Sequence, residues 1–141
     1  MILTALSHTY TGQRADGSSV SVVVEGARIA TVTPIPHDAA LPQLLPVLVD
    51  LQHNGAFGYE FSDIGRHGIE ALRQIATFMR RHGVGRCLPT LITRSDEMLG
   101  QSVAALDAWL SADADLSNLF KGIFHEGCYM SPKEGWRGVH D

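Results

Sequence analysis

Gly122-Ile123-Phe124-His125-Glu126-Gly127 decides how this chain folds. It is a short apolar run that stops on an imidazole, a carboxylate and a glycine. A buried strand ends that way when its tip faces something polar. Leu48-Val49-Asp50-Leu51-Gln52-His53-Asn54-Gly55 has the same design. Side chains alternate along a strand. Asp50, Gln52 and Asn54 are therefore expected on one face, and Phe124 and Glu126 share a face on their own strand. Two strands with polar C-terminal tips point to a parallel α/β protein whose site lies at that edge.

The surrounding sequence supports that reading. Residues 44–52 predict a buried strand, and a glycine-spaced loop over 54–58 follows it. Over 67–82 the apolar positions Ile69, Leu72, Ala76 and Met79 have helical spacing, and Gly83 is placed to end the helix. Residues 84–88 predict a second strand that stops at Pro89, because proline cannot donate to a ladder. Ser95 suits an N-cap, with Asp96 and Glu97 favourable in the first turn. Leu99, Val103, Leu106 and Leu110 then mark one helix face. Residues 119–124 predict a third strand. Such β-α-β-α-β alternation implies a parallel sheet with right-handed crossovers.

Upstream, residues 1–43 read as a β-rich segment. The β-branched run 20–24 and the run 29–33 form a hairpin around Glu25-Gly26-Ala27-Arg28, and Ala15-Asp16-Gly17-Ser18 signals an earlier turn. Pro34, Pro36 and Pro42 make a connector. The barrel-like part is then 44–141. Three parallel strands with two helices leave two open edges, and a closed eight-stranded barrel takes about 250 residues. The expected fold is the opening part of a larger (β/α)8 barrel.

Composition narrows the function classes. The chain has 141 residues, 45% of them apolar and 18% charged, with a net charge of −4. That suits a soluble globular domain and not a disordered one. No Lys/Arg cluster suggests nucleic acid as a partner. The longest apolar runs are too short to span a bilayer, and no signal-peptide pattern opens the chain, so a cytoplasmic location is expected. Cys87 and Cys128 do not make a disulfide framework.

Glu126 is the strongest candidate for chemistry. A carboxylate at a strand tip can bind a divalent metal or act as acid or base; the plain structural role is a salt bridge or hydrogen bond to a nearby loop. Gln52 and Asn54 have the i, i+2 spacing of strand-borne ligands, yet amides are poor metal ligands, and pinning a loop is their structural role. His53 and His125 fall on the opposite faces and are expected to pack against helices. His140 lies in a loop. Cys87 reads as inert core, and neither cysteine has a catalytic neighbour pattern. No phosphate-binding or dinucleotide fingerprint is present.

Taken together, the stretches from Leu48 to Gly58, Phe61-Ser62-Asp63, Leu88-Pro89-Thr90-Leu91-Ile92-Thr93, Glu126-Gly127 on to Ser131-Pro132, and Gly138-Val139-His140-Asp141 resemble the N-acetylglucosamine-6-phosphate deacetylases. These are metal-dependent hydrolases of the amidohydrolase superfamily. The resemblance covers roughly residues 20–141 and the N-terminal third of the family pattern. It implies a (β/α)8 barrel beside a small β-sandwich to which residues 1–43 contribute. It implies that Glu126 is a metal ligand with Gln52 as a candidate second one, that Gln52 and Asn54 stand where other amidohydrolases carry their first histidine pair, and that Val139 and His140 contact the sugar, with Asn54 a further candidate for that contact. The implied cofactor is zinc or a similar divalent metal. The implied substrate is a small amino-sugar phosphate, with a homo-oligomer open as the assembly. Where the family reads His-x-Glu-Gly-Pro, this chain reads Phe124-His125-Glu126-Gly127-Cys128, and its usual Pro-Gly is Pro46-Val47.

The family's other metal-binding histidines and its catalytic aspartate come from later strands that have no counterpart here. The 141 residues alone are therefore expected to be inactive, poorly stable and weak in metal binding. The competing expectations are an amidohydrolase for a different N-acyl or cyclic amide, and a non-catalytic truncated protein that depends on a partner.

Overall fold

Val20 to Val24 has no reason to turn helical: its β-branched side chains favour the extended backbone. In the computed structural model, which describes residues 7–127, 129–131, 133, 135 and 138, it is the centre of an antiparallel sheet. The sheet consists of β1 (Ser7–Gln13), β2 (Ser19–Glu25) and β3 (Arg28–Pro34), in that order. Gly26 takes φ 59 in the two-residue turn between β2 and β3, a conformation glycine adopts at no steric cost. Asp16 Oδ1 accepts from both the backbone N–H and the hydroxyl of Ser18, closing the earlier turn at 2.9 and 2.6 Å. The chain divides into two compact units, Met1–Pro46 and Val47–Asp141.

The second unit is mixed α/β around a parallel three-stranded sheet. Its strands are β4 (Leu48–His53), β7 (Val84–Ile92) and β8 (Phe124–Glu126), and β7 lies in the middle. Between β4 and β7 come a small hairpin, β5 (Gly55–Ala56) with β6 (Tyr59–Glu60), a 3-10 helix (Phe61–Arg66) and α1 (Ile69–Arg81). Between β7 and β8 come α2 (Asp96–Ala112) and α3 (Ala114–Leu119). α1 buries Ala71, Leu72, Ile75, Ala76 and Met79, one stripe of the helix, and Gly83 follows its C-terminus with φ 80. Ser95 caps α2 by accepting from the Met98 N–H at 3.3 Å. The core joins this stripe to Phe61, Ile64, Leu91, Leu106, Leu116 and Phe120. Full burial of each large side chain contributes about 1.5–3 kcal/mol.

Several sequence expectations need correction. β7 does not stop at Pro89 but runs through it to Ile92. The cost of the missing N–H is met by a register shift: Asp50 pairs with Cys87 and His53 with Pro89, so β4 spends one extra residue there. The third strand is not 119–124. Leu119 ends α3, Phe120 makes an isolated parallel bridge to Cys87, and the ladder resumes only at Phe124 to Glu126. Leu116 and Leu119 carry helical spacing into the core, and the Asp113 cap starts that turn.

β4 is not buried. Leu48, Val49 and Leu51 are 57%, 59% and 63% exposed. Among the described residues the strand has a neighbour on one side only, β7, and α1, α3 and the 3-10 helix pack on β7. On α2 the buried positions are Ser102 and Leu106, while Val103 stays exposed. The reason is the backbone of the 3-10 helix. A Cβ on Gly65 would lie 2.9 Å from the Gln101 carbonyl oxygen, so α2 presses its small-residue side against that segment.

The hairpin turn carries strain. Phe57 has φ 59 beside Gly58 at φ 81. A positive φ costs a bulky residue about 1–2 kcal/mol.

Two outcomes follow for stability. Ser62 Oγ accepts the buried Ile92 N–H at 2.9 Å, and Ser102 Oγ donates to the Ser62 carbonyl at 3.0 Å. Ser62→Ala leaves that N–H unpaired and is expected to cost about 1–3 kcal/mol in a urea titration. Asp113 is held below its ordinary carboxyl range, first by the Leu116 N–H it accepts from as cap of α3, then by the Arg73 guanidinium. A depressed folded value means stability that is present above the unfolded pKa and lost as pH falls through the folded one. Asp113→Asn keeps a cap but removes the charge, so its unfolding midpoint should fall less steeply than wild type below about pH 4.

Candidate functional site

Parallel strands direct the ends of β4, β7 and β8 to one edge. There Gln52 Nε2 donates to Glu126 Oε2 at 2.9 Å, across 74 residues of sequence. The two residues sit on the outer strands with β7 between them. Neighbouring strands lie about 4.8 Å apart, so the two backbones are about 10 Å apart. Two long side chains reaching over the central strand are what this gap needs.

The register shift beside Pro89 rebuilds the end of β4. Asp50 Oδ1 accepts the Gln52 N–H at 3.1 Å, and Asp50 Oδ2 lies 3.0 Å from His53 Nδ1. The expected single face of Asp50, Gln52 and Asn54 is therefore broken at Asp50, which turns back on its own strand. His53 stacks edge-on against Phe61 at 6.0 Å, and its buried Nε2 has no hydrogen-bond partner among the described residues. His125 departs from expectation in that it is exposed. Asn54 is exposed, and its carbonyl accepts the Phe61 N–H at 3.0 Å. Val139, His140 and Cys128 lie outside the described residues.

Sequence reading missed a second polar cluster at this edge. Arg94 Nη2 pairs with Glu60 Oε2 at 2.9 Å, and Thr93 Oγ1 donates to the Gly127 carbonyl at 3.2 Å. Asn54, Glu60, Ser62 and Ile92 line a cavity of about 150 Å³ there. The available signal was Thr93-Arg94, polar residues directly after an apolar strand. Cys87 is buried in the core, as expected; burial, with a smaller push from Asp50, drives its thiol up to about 12.

Among the described residues the donor set falls short of a metal centre. Structural and catalytic zinc sites use three or four protein ligands. Among the described residues no group of three or more His, Cys, Asp and Glu could hold an ion. Glu126 and the Gln52 amide bring one carboxylate and one amide to this edge. No helix among the described residues is long and apolar enough to cross a membrane.

Solved structures similar to this chain include N-acetylglucosamine-6-phosphate deacetylases. The enzyme from Pasteurella multocida superposes at TM-score 0.70 with 24% identity, over 95% of this chain and 38% of that one. A point variant of the Mycobacterium smegmatis enzyme, in complex with N-acetyl-D-glucosamine-6-phosphate, gives 0.62 and 20%, over 87% of this chain and 34% of that one. A second structure of the Mycobacterium smegmatis enzyme gives 0.61 and 22%, over 95% and 39%. The chain thus matches a fragment of these proteins and spans less than two fifths of their length. No protein-family model matches it.

The short donor set of the described residues has a measurable consequence. Excess zinc should leave the unfolding midpoint of the 141-residue chain unmoved, because only a ligand that binds the folded state raises it. A rise of several degrees that Glu126→Ala removes would reveal a complete site.

Proposed function

We propose that this chain is part of a deacetylase that removes the acetyl group of an N-acetyl-amino-sugar phosphate, with N-acetylglucosamine 6-phosphate as the reference substrate. The observation that carries the reading is the Gln52–Glu126 hydrogen bond at the C-terminal edge of a parallel sheet. The likeness to deacetylase structures supports it. On this reading the sheet is the first three strands of a (β/α)8 barrel, and Met1–Pro46 contributes to a small β-sandwich.

Glu126 is then one metal ligand, and Gln52 a positioning residue that fixes its carboxylate through Nε2. Asn54 stands on the rim, and Val139 and His140 would meet the sugar. Further polypeptide, joined to this chain or supplied by a partner, contributes the remaining ligands and the acid/base group. The exposed apolar face of β4 supports this requirement, because monomeric proteins rarely leave such a surface open. Amide hydrolysis needs a nucleophile and a proton donor for the leaving amine; Glu126 and Gln52 do not supply both.

The test is a chimera. Residues 1–141 replace the matching segment of the Pasteurella multocida enzyme, and acetate release from N-acetylglucosamine 6-phosphate is measured. We expect turnover that falls by about 100-fold or more in Glu126→Ala, and less in Gln52→Ala, by analogy with losses at metal-supporting positions. The 141-residue chain alone should release no acetate. A folded chimera indifferent to Glu126→Ala would sink the assignment.

A further inference from the structure

A groove that combines charge with aromatic rings lies on the outer face of α1. Glu70, Arg73, Gln74, Thr77, Phe78 and Arg81 fall on one helical stripe, and the β5–β6 hairpin tip leans over it. Together with Phe57 and His82 they line an open cavity of about 560 Å³. That volume suits a small organic molecule.

Three observations distinguish this groove from an ordinary solvated helix face. Phe57, at the hairpin tip, has a positive φ where Asn or Gly would be unstrained, and 61% of its surface is exposed. Strain of this kind persists where something in the protein uses it. Its ring meets Phe78 edge-on at 5.3 Å, and Phe78 in turn meets His82 at 4.3 Å, giving a row of three rings at the surface. Among the residues lining the groove the cations Arg73 and Arg81 outnumber the one anion, Glu70, although the chain's net charge is −4. Glu70 is neutralised by Arg73 at 2.6 Å, and Arg73 also reaches Asp113. Arg81 forms no ion pair among the described residues, and beside it stand the amide of Gln74 and the hydroxyl of Thr77. His82 spends Nδ1 on the Phe78 carbonyl at 2.8 Å.

We propose that the Phe57–Arg81 groove is a binding site for an organic phosphomonoester whose ring lies on Phe57. The guanidinium of Arg81 takes the phosphate, since its planar fork of donors matches phosphate oxygens. The exposed ring of Phe57 supplies an apolar face, on which either a nucleobase or the C–H face of a sugar can lie. Gln74 and Thr77 offer hydrogen bonds to ring substituents. The site is independent of the sheet edge and requires neither Glu126 nor Gln52.

The experiment is titration of the purified 141-residue chain with adenosine monophosphate, glucose 6-phosphate and inorganic phosphate, followed by calorimetry and amide shifts. At least one organic phosphate should bind ten-fold or more tightly than inorganic phosphate, and the tighter of the two identifies base or sugar as the ring. Arg81→Gln should weaken that ligand at least ten-fold. Phe57→Gly should bring its affinity down to the level of inorganic phosphate while leaving the unfolding midpoint equal or higher, because the turn is relieved. Equal binding of all three phosphates overturns the proposal, as does an Arg81→Gln variant with unchanged affinity. A Phe57→Gly variant with a lower midpoint and intact affinity also overturns it, and assigns Phe57 to holding the hairpin against α1.

Discussion

Pro89 has no N–H, yet it stands fully buried in the central strand of the sheet. The geometry of the second unit depends on how the neighbours meet that one missing donor. On the β4 side the ladder slips by a residue between Asp50 and His53. On the β8 side the bridge at Cys87–Phe120 and the ladder from Thr90–Phe124 are out of step by one residue as well. Both irregularities flank Pro89. They twist the outer strands just before their tips, where the polar residues sit. A proline that would break an ordinary central strand here shapes the edge that carries Glu126 and Gln52.

The consequence at that edge is a change of partners. Without the slip, Asp50 would share a face with Gln52. With it, Asp50 is held by its own strand, through the Gln52 N–H and His53. Gln52 is left to extend across β7 to Glu126. An amide fits this role better than a second carboxylate, because its Nε2 donates where two anions would repel. The Glu60–Arg94 pair adds a cation at the same edge, tied down by its own partner. The site is thus a hydrogen-bonded frame with one carboxylate at its centre.

What the sequence made legible followed from periodicity and from caps. The hairpin of β2 and β3, the stripe of α1, the Ser95 cap and the parallel order all rest on patterns a few residues long. Three features escaped. The continuation of β7 through Pro89 depends on slips in two other strands, which no local rule registers. α3 is six residues long, and its helical pair Leu116 and Leu119 merges with the strand-like run that follows. The exposure of β4 depends on which strand the helices cover, and an apolar run reads alike whether or not a neighbour arrives. At the site, Glu126 and Gln52 were legible as polar tips on apolar strands. Glu60 and Arg94 were not, because their pairing joins a hairpin to a strand end 34 residues away.

The distribution of buried surface sets what this fold can do unaided. Helices α1 and α3, with the 3-10 segment, concentrate burial on β7, whose residues from Pro89 to Leu91 are almost wholly covered. The outer strands, which carry the candidate site, remain open: Leu51 beside Gln52 is 63% exposed, and Phe124 beside the Glu126 tip is 39% exposed. A carboxylate exerts most on a bound ion or a reacting carbonyl when water is excluded around it, because Coulomb interactions weaken as the effective dielectric rises. The same apolar surface that makes β4 an unfavourable edge is therefore what a covering layer needs in order to dry the site. Burial of Leu48, Val49 and Leu51 would serve both ends, stabilising the sheet and strengthening the field of Glu126. On physical grounds, stability and chemistry at this edge are one requirement.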